Sequence, residues 1–318
     1  MNSLYSLNSS NFSLWWRRQI LPGFGLSLGF TLVYLSLIVL IPLVALFLKA
    51  SGIGFDGFVR TIFSPRVLAA FQLSFSVSFY AALINIFLGT ILAWVLVRYR
   101  FPGRRFLDAI VDFPFALPTA VAGIALTAIY SPNGWIGGPV HALTGWKLTF
   151  TPLCIFLALV FIGFPFVVRT VQPVLADLNV EFEEAAASLG ASRLQTICRI
   201  VIPELTPAAL TGFTLAFARA LGEYGSVVFI SGNMPMKTEI VPLLIMMELD
   251  QFHYTEATTI AVVMLVVSLV LLFLINGFQH WGNKLVGRGS GTTESDPQGQ
   301  TSCGDGRRAA LAPRRAAA

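Results

Sequence analysis

The sequence predicts an all-α membrane protein with about six transmembrane helices. Two observations carry that prediction. The 318-residue chain is 55% hydrophobic and only 12% charged, where a soluble globular protein carries about 25% charged residues. Its apolar residues also gather into six segments, each near the ~20 residues that a helix needs to cross the hydrocarbon. They run over 26–48, 67–97, 107–130, 151–172, 205–231 and 258–281.

Residues 1–25 form a polar N-terminal segment, rich in Ser and Asn and closed by Arg17 and Arg18. The apolar run that follows exceeds the 7–15 residues of a signal-peptide core. It is expected to be retained as the first span. The second and fifth segments are long enough to tilt or to protrude. Proline falls inside several segments, at Pro42, Pro114, Pro118 and Pro165. Membrane helices tolerate such residues where neighbours re-satisfy the freed carbonyls, and the pair in the third span predicts a kink there. The membrane-embedded body is expected over 26–285, and the Gly/Ser/Thr/Arg-rich stretch 286–318 reads as a disordered tail. No internal repeat is evident.

The basic residues fix an orientation. Arg17, Arg18, Arg98, Arg100, Arg104, Arg105, Arg169, Arg193, Arg199, Lys284 and Arg288 fall on one side of this topology. The other side holds Lys49, Arg60, Arg66, Lys147 and Lys237, interspersed with acids. Both termini are therefore expected in the cytoplasm. On the outer side, Trp135 and Trp146 suit the membrane interface, and the apolar stretch within 232–257 is half a span long, fit for a re-entrant or interfacial helix. Cys154, Cys198 and Cys303 are far apart, so neither a disulfide framework nor a metal site is expected. The excess of arginine is not organised as a nucleic-acid surface. His141 and His253 are read as solvated loop residues. Asp108 and Asp112 are read as interfacial salt-bridge partners, with Arg104 and Arg105 nearby. Asn8 and Asn11 lie in glycosylation-like patterns that a cytoplasmic N-terminus makes irrelevant.

One polar stretch stands apart, at 179–204 between the fourth and fifth spans. Asn179 can cap a helix whose dipole Glu181, Glu183 and Glu184 complement. Phe182, Ala185, Ala186 and Leu189 form its apolar stripe. Gly190 ends it in the left-handed conformation. Ser192 and Gln195 make a capping box for a second helix, with the stripe Leu194, Ile197, Cys198 and Val201, and Pro203 stops that helix. By pattern alone this helix–turn–helix either lies on lipid headgroups or docks a partner.

The stretch EAAASLGASRLQTICRIVIP, Glu184 to Pro203, resembles the coupling loop of permease subunits of ABC importers. The matching positions are Glu184, Ala185, Ala186, Gly190, Ile200, Ile202 and Pro203. The resemblance implies a type I ABC importer permease fold, and a loop that docks into a separate ATPase subunit. In keeping with this, the sequence contains no G-x-x-x-x-G-K-[ST] phosphate loop. ATP is expected on the partner, with no cofactor, no metal and no catalytic residue in this chain.

The fifth span carries Arg219 and Glu223 at i, i+4, a pairing inside the membrane that serves either function or structure. Tyr224 follows, between Gly222 and Gly225. The run GEYGSVVFISGNMP resembles the sulfate/thiosulfate permeases, their T-type subunit above all, over roughly 20–285. That family implies sulfate or thiosulfate as cargo and an inner-membrane location, with a plastid membrane also open. It further implies a W-type second permease, two ATPase subunits and a periplasmic sulfate-binding protein. Arg219, Glu223 and Tyr224 would lie on the translocation path or form an intramembrane pair. Molybdate, tungstate or phosphate as cargo stands as the alternative. An ion-coupled secondary transporter would need neither the loop nor a motor, and a membrane enzyme would need a catalytic cluster that is not evident.

Overall fold

The computed structural model describes residues 24–287. Residues 1–23 and 288–318 lie outside them, and with them Asn8, Asn11, Arg17, Arg18, Arg288, Cys303 and nearly all of the expected tail. Among the described residues the secondary structure is helical throughout. In chain order the helices are α1 (Phe24–Ser51), α2 (Gly54–Ile62), α3 (Pro65–Arg98), α4 (Arg104–Val111), α5 (Phe113–Ala116), α6 (Thr119–Tyr130) and α7 (Gly137–Thr144). They continue as α8 (Pro152–Asp177), α9 (Val180–Ser188), α10 (Arg193–Thr196), a π-helical segment (Ile197–Val201), α11 (Ile202–Leu221), α12 (Val227–Ile230), α13 (Val241–Asp250) and α14 (Tyr254–Gly287).

Five of the described helical stretches are long and apolar enough to cross a membrane: Gly25–Ser51, Pro65–Arg98, Pro152–Asp177, Arg193–Leu221 and Tyr254–Gly277. The expected third span, 107–130, is not one helix. It divides into α4, α5 and α6, of which only α6, with 12 residues, is a substantial apolar helix. The two prolines account for the division. Leu117, just before Pro118, is extended (φ −84°, ψ 134°), because a proline ring disfavours helical geometry in the residue that precedes it. Pro114 meanwhile sits in the first turn of α5, where its missing N–H costs nothing.

The core is built by α3, α8 and α11. Leu96 from α3, Val167, Val168 and Val171 from α8, and Phe213 and Phe217 from α11 are buried against one another. Lipid tails are as apolar as leucine, so close packing rather than hydrophobicity holds such helices together. Gly212 shows how close: a Cβ built there would lie 2.8 Å from the Val167 Cα. By contrast α1 exposes nearly all of its Leu, Ile and Val side chains, so that apolar surface is not covered by the described part of this chain. The half-span segment expected within 232–257 is α13, with Val241, Leu243 and Leu244 buried. Ser74 Oγ on α3 accepts the Val241 N–H at 2.8 Å, tying the start of α13 into the bundle.

Candidate coupling loop and intramembrane ion pair

The stretch after α8 folds locally much as its residue pattern dictates. α9 starts behind Asn179, although the Asn179 side chain makes no capping bond. At its far end Gly190 takes φ +83°. The Ala191 N–H donates to the Ala186 carbonyl at 3.0 Å, which is the six-to-one bond of a left-handed helix stop. Ser192 then forms the expected reciprocal box: its N–H donates to Gln195 Oε1 at 2.9 Å, and its Oγ accepts the Gln195 N–H at 3.4 Å.

Pro203 does not stop the second helix, contrary to expectation. The chain stays helical from Arg193 to Leu221, with Pro203 in the first turn of α11. The π segment makes this feasible. The Ile202 N–H reaches back five residues to the Ile197 carbonyl, so the ladder is re-registered just before the proline that would break it. The same change of register scatters the expected second stripe. Val201 is buried, Ile197 half-buried, and Leu194 and Cys198 exposed.

The first stripe is not consumed by this chain either. Leu189 is 89% exposed and Phe182 is also exposed, and across the elbow Leu194 of the second stripe is 75% exposed. The knob thus presents large apolar side chains around the Gly190 elbow, with Glu184 and Ala185 exposed and Ala186 half-buried beside them. What fastens it to the bundle is Arg98, at the end of α3. Its Nη2 donates to Glu183 Oε1 at 2.7 Å and to the Leu178 carbonyl at 3.3 Å. The guanidinium also stands 5.8 Å from the Trp94 ring centroid, within cation–π range. Ile200 and Pro203 sit on the helical stem that carries the knob into α11.

This link yields a prediction. Arg98→Gln and Glu183→Gln should each lower the melting temperature of the purified assembly, and the double change should cost less than the sum. A coupling of about 1–2 kcal/mol is expected for a half-buried charged pair. Strictly additive losses would mean that the contact does not fasten the knob.

The second candidate site lies where α11 ends. Arg219 and Glu223 do pair, but not along one helix as their spacing predicts. α11 stops at Leu221, and Glu223 stands in the break before α12. Its carboxylate is 1% exposed as a residue. One oxygen accepts from Arg219; the other accepts the Ser226 N–H and the Ser226 hydroxyl, each at 2.9 Å. Glu223 therefore takes up a backbone donor that an unbroken helix would have used. Arg219 keeps 34% of its side chain exposed, and Tyr224 is also partly open.

The break is locked from outside by α6. A Cβ on Gly225 would lie 2.2 Å from Thr119 Oγ1, and one on Gly123 would lie 2.4 Å from the Ser226 carbonyl. Gly123 lets α6 touch the backbone of the 222–226 turn at Ser226, and Gly225 makes room for the Thr119 side chain. The two halves of this contact lie about a hundred positions apart in sequence, which hides it from any reading of local pattern.

Asp108 and Asp112 do form salt bridges, as expected, but with a more distant partner than the neighbouring Arg104 and Arg105. Both hold Arg169 on α8, at 2.8 Å and 2.6 Å, and Gln172 Oε1 accepts from the same guanidinium. The sequence reading also missed Glu239. Its side chain is fully buried and takes Arg66 bidentately at 2.8 Å and 2.7 Å. The available signal was a lone carboxylate heading an apolar segment. His253 stands 3.0 Å from Glu248. Among the described residues no group of three or more His, Cys, Asp or Glu could hold a metal ion.

A bundle with a broken helix, a buried ion pair at the break and a projecting helix–turn–helix whose large apolar side chains stay exposed fits a membrane permease subunit. Comparison with known proteins gives the same class. The family model of the binding-protein-dependent transport system inner membrane component matches residues 85–288, and the chain belongs to that family. More particularly, it is similar to the sulfate transport system permease protein CysT of Escherichia coli (strain K12). The two are 48% identical over 271 residues, which cover 85% of this chain and 98% of that protein. CysT of Synechocystis sp. is 47% identical, over 80% of this chain and 88% of that protein. Among solved structures, a bacterial alginate ABC transporter in complex with its alginate pentasaccharide-bound periplasmic protein has a chain of the same fold. The TM-score is 0.68 at 19% identity, over 82% of this chain and 93% of that one. The fold is that of an ABC importer permease.

Proposed function

We propose that this chain is one of two permease subunits of a binding-protein-dependent ABC importer for sulfate or thiosulfate. The observation that carries the cargo is its 48% identity to a sulfate permease across 98% of that protein. A W-type permease would complete the pathway, and a periplasmic sulfate-binding protein would deliver the anion. Two ATPase subunits would bind and hydrolyse ATP, since the sequence has no phosphate loop of its own. The basic bias of the loops supports an inner-membrane or plastid-membrane protein with both termini in the cytoplasm.

In this reading the knob around Gly190 docks on an ATPase subunit, with Glu184, Ala185, Ala186, Ile200 and Pro203 in or beneath the contact. The exposed Leu189 and Leu194 supply the apolar surface that such a contact buries. ATP-driven closure of the ATPase pair then moves the knob. The continuous helix from Arg193 to Leu221 carries that movement into the bundle, where it ends beside Arg219, Glu223 and Tyr224. An arginine already neutralised by Glu223 attracts an anion weakly, which suits a path that must release its cargo.

Labelled sulfate uptake tests the proposal, in cells lacking this gene and in cells with it restored. Restored uptake that thiosulfate blocks and molybdate does not is the expected result. Normal sulfate uptake in the deleted strain, with no second sulfate system present, would move the cargo to another oxyanion.

A further inference from the structure

The turn between α3 and α4 gathers three arginines that the transport reading leaves unused. Arg100, Arg104 and Arg105 line one pocket, together with Phe101 and Gly103. Gly103 turns the chain there with φ +90°. Nearby Arg98 and Arg169 are each held by a carboxylate. Among the described residues none of the three is so held. Three guanidiniums that share a pocket without a counter-charge repel one another, and an anion between them relieves that repulsion.

The helix that follows indicates which anion. α4 has eight residues and is about 12 Å long, too short to span. Its inner side is fixed: Val111 is buried, Leu107 packs on the core, and Asp108 grips Arg169 together with Asp112 at the helix end. Its outer side is apolar and uncovered. Phe106 is 72% exposed, and Ile110, one turn on, is exposed with it, as are Tyr99 before the turn and Phe113 after α4. Arginines at the N-terminal end of a short helix with aromatic and aliphatic residues on its free face are the pattern of a helix lying in the membrane interface.

We propose that Arg100, Arg104 and Arg105 bind the phosphate of an anionic phospholipid headgroup, whose acyl chains run along Phe106, Ile110 and Phe113. The inference rests on the reading of the chain as a membrane permease and is independent of its cargo. Guanidinium and phosphate match as donor fork and acceptor oxygens. A zwitterionic headgroup carries its own ammonium beside the phosphate and gains less from three positive charges.

The test uses the assembled transporter in a mild detergent, with native mass spectrometry as readout. It is titrated with phosphatidylglycerol or phosphatidylcholine of the same acyl chains. The wild type should retain phosphatidylglycerol at a concentration roughly ten- to a hundredfold lower than phosphatidylcholine. Arg100→Gln/Arg104→Gln/Arg105→Gln should lose most of that preference while still assembling with its ATPase. Equal retention of the two lipids, or an undiminished preference in the triple variant, would overturn the assignment. Displacement of the lipid by glycerol 3-phosphate, which has no acyl chains, would make this a site for a free anion and not for lipid. Loss of the ATPase from the triple variant, with no lipid preference in the wild type, would give the patch to the ATPase. Should the triple variant fail to assemble, Arg105→Gln alone is expected to reduce the preference severalfold; no reduction there would overturn the proposal equally.

Discussion

Gly190→Pro should leave the chain inserted in the membrane but abolish recovery of the ATPase with it. At φ +83° the residue lies far from the ~−65° that a proline ring imposes. The substitution also removes the N–H that Gly190 donates to Ala187 at 3.0 Å. The elbow between α9 and α10 cannot keep its angle, so the exposed Leu189 and Leu194 no longer face one surface together. No spanning helix contains this position, and the bundle should survive. Gly190→Asn makes the informative comparison, since asparagine tolerates left-handed geometry better than other side chains. It should retain most of the ATPase bound. The measurement is co-purification together with ATP hydrolysis by the assembly. A proline variant that still captures a coupled, active ATPase would remove the docking role from this loop.

How legible each feature was in the sequence depended on how far its causes lie apart. The Gly190 stop and the Ser192–Gln195 box are made by residues within six positions of each other, and both formed as their pattern predicted. Long apolar runs likewise gave most of the spans. The break in the third span was only half visible: Pro114 and Pro118 marked a kink, but the carboxylates that anchor its first piece are held by Arg169, 57 and 61 positions away. Pro203 misled because its usual meaning as a helix stop was overridden by a π turn, which leaves no clear residue signature. The Arg219–Glu223 spacing suggested one helix, yet the backbone bends where Gly225 meets Thr119 and Gly123 meets Ser226. Arg66 and Glu239 lie 173 positions apart, and nothing in the sequence near either one names the other.

The second large effect is expected at that ion pair. Arg219→Ala should sharply reduce the amount of folded protein, because it leaves Glu223 buried with its charge unmatched. Removing one partner of a fully buried pair costs about 3–5 kcal/mol. With 34% of the Arg219 side chain exposed, the loss is expected at or below the low end of that range, still a large share of the roughly 5–15 kcal/mol that typically holds a domain together. The Ser226 N–H and hydroxyl would still donate to Glu223, but neither carries a charge. The double variant Arg219→Met/Glu223→Gln separates structure from transport. Methionine keeps much of the arginine stem's bulk, and glutamine can still accept from Ser226 through its amide oxygen. Assembly should therefore recover substantially, and sulfate uptake should not, if the partly exposed Arg219 guanidinium meets the passing anion. Assembly by gel filtration and uptake in cells are read on the same variants. Full recovery of both would reduce the pair to a brace for the break between α11 and α12. Recovery of assembly alone would place Arg219 on the path of the anion, with Glu223 setting how weakly it is held.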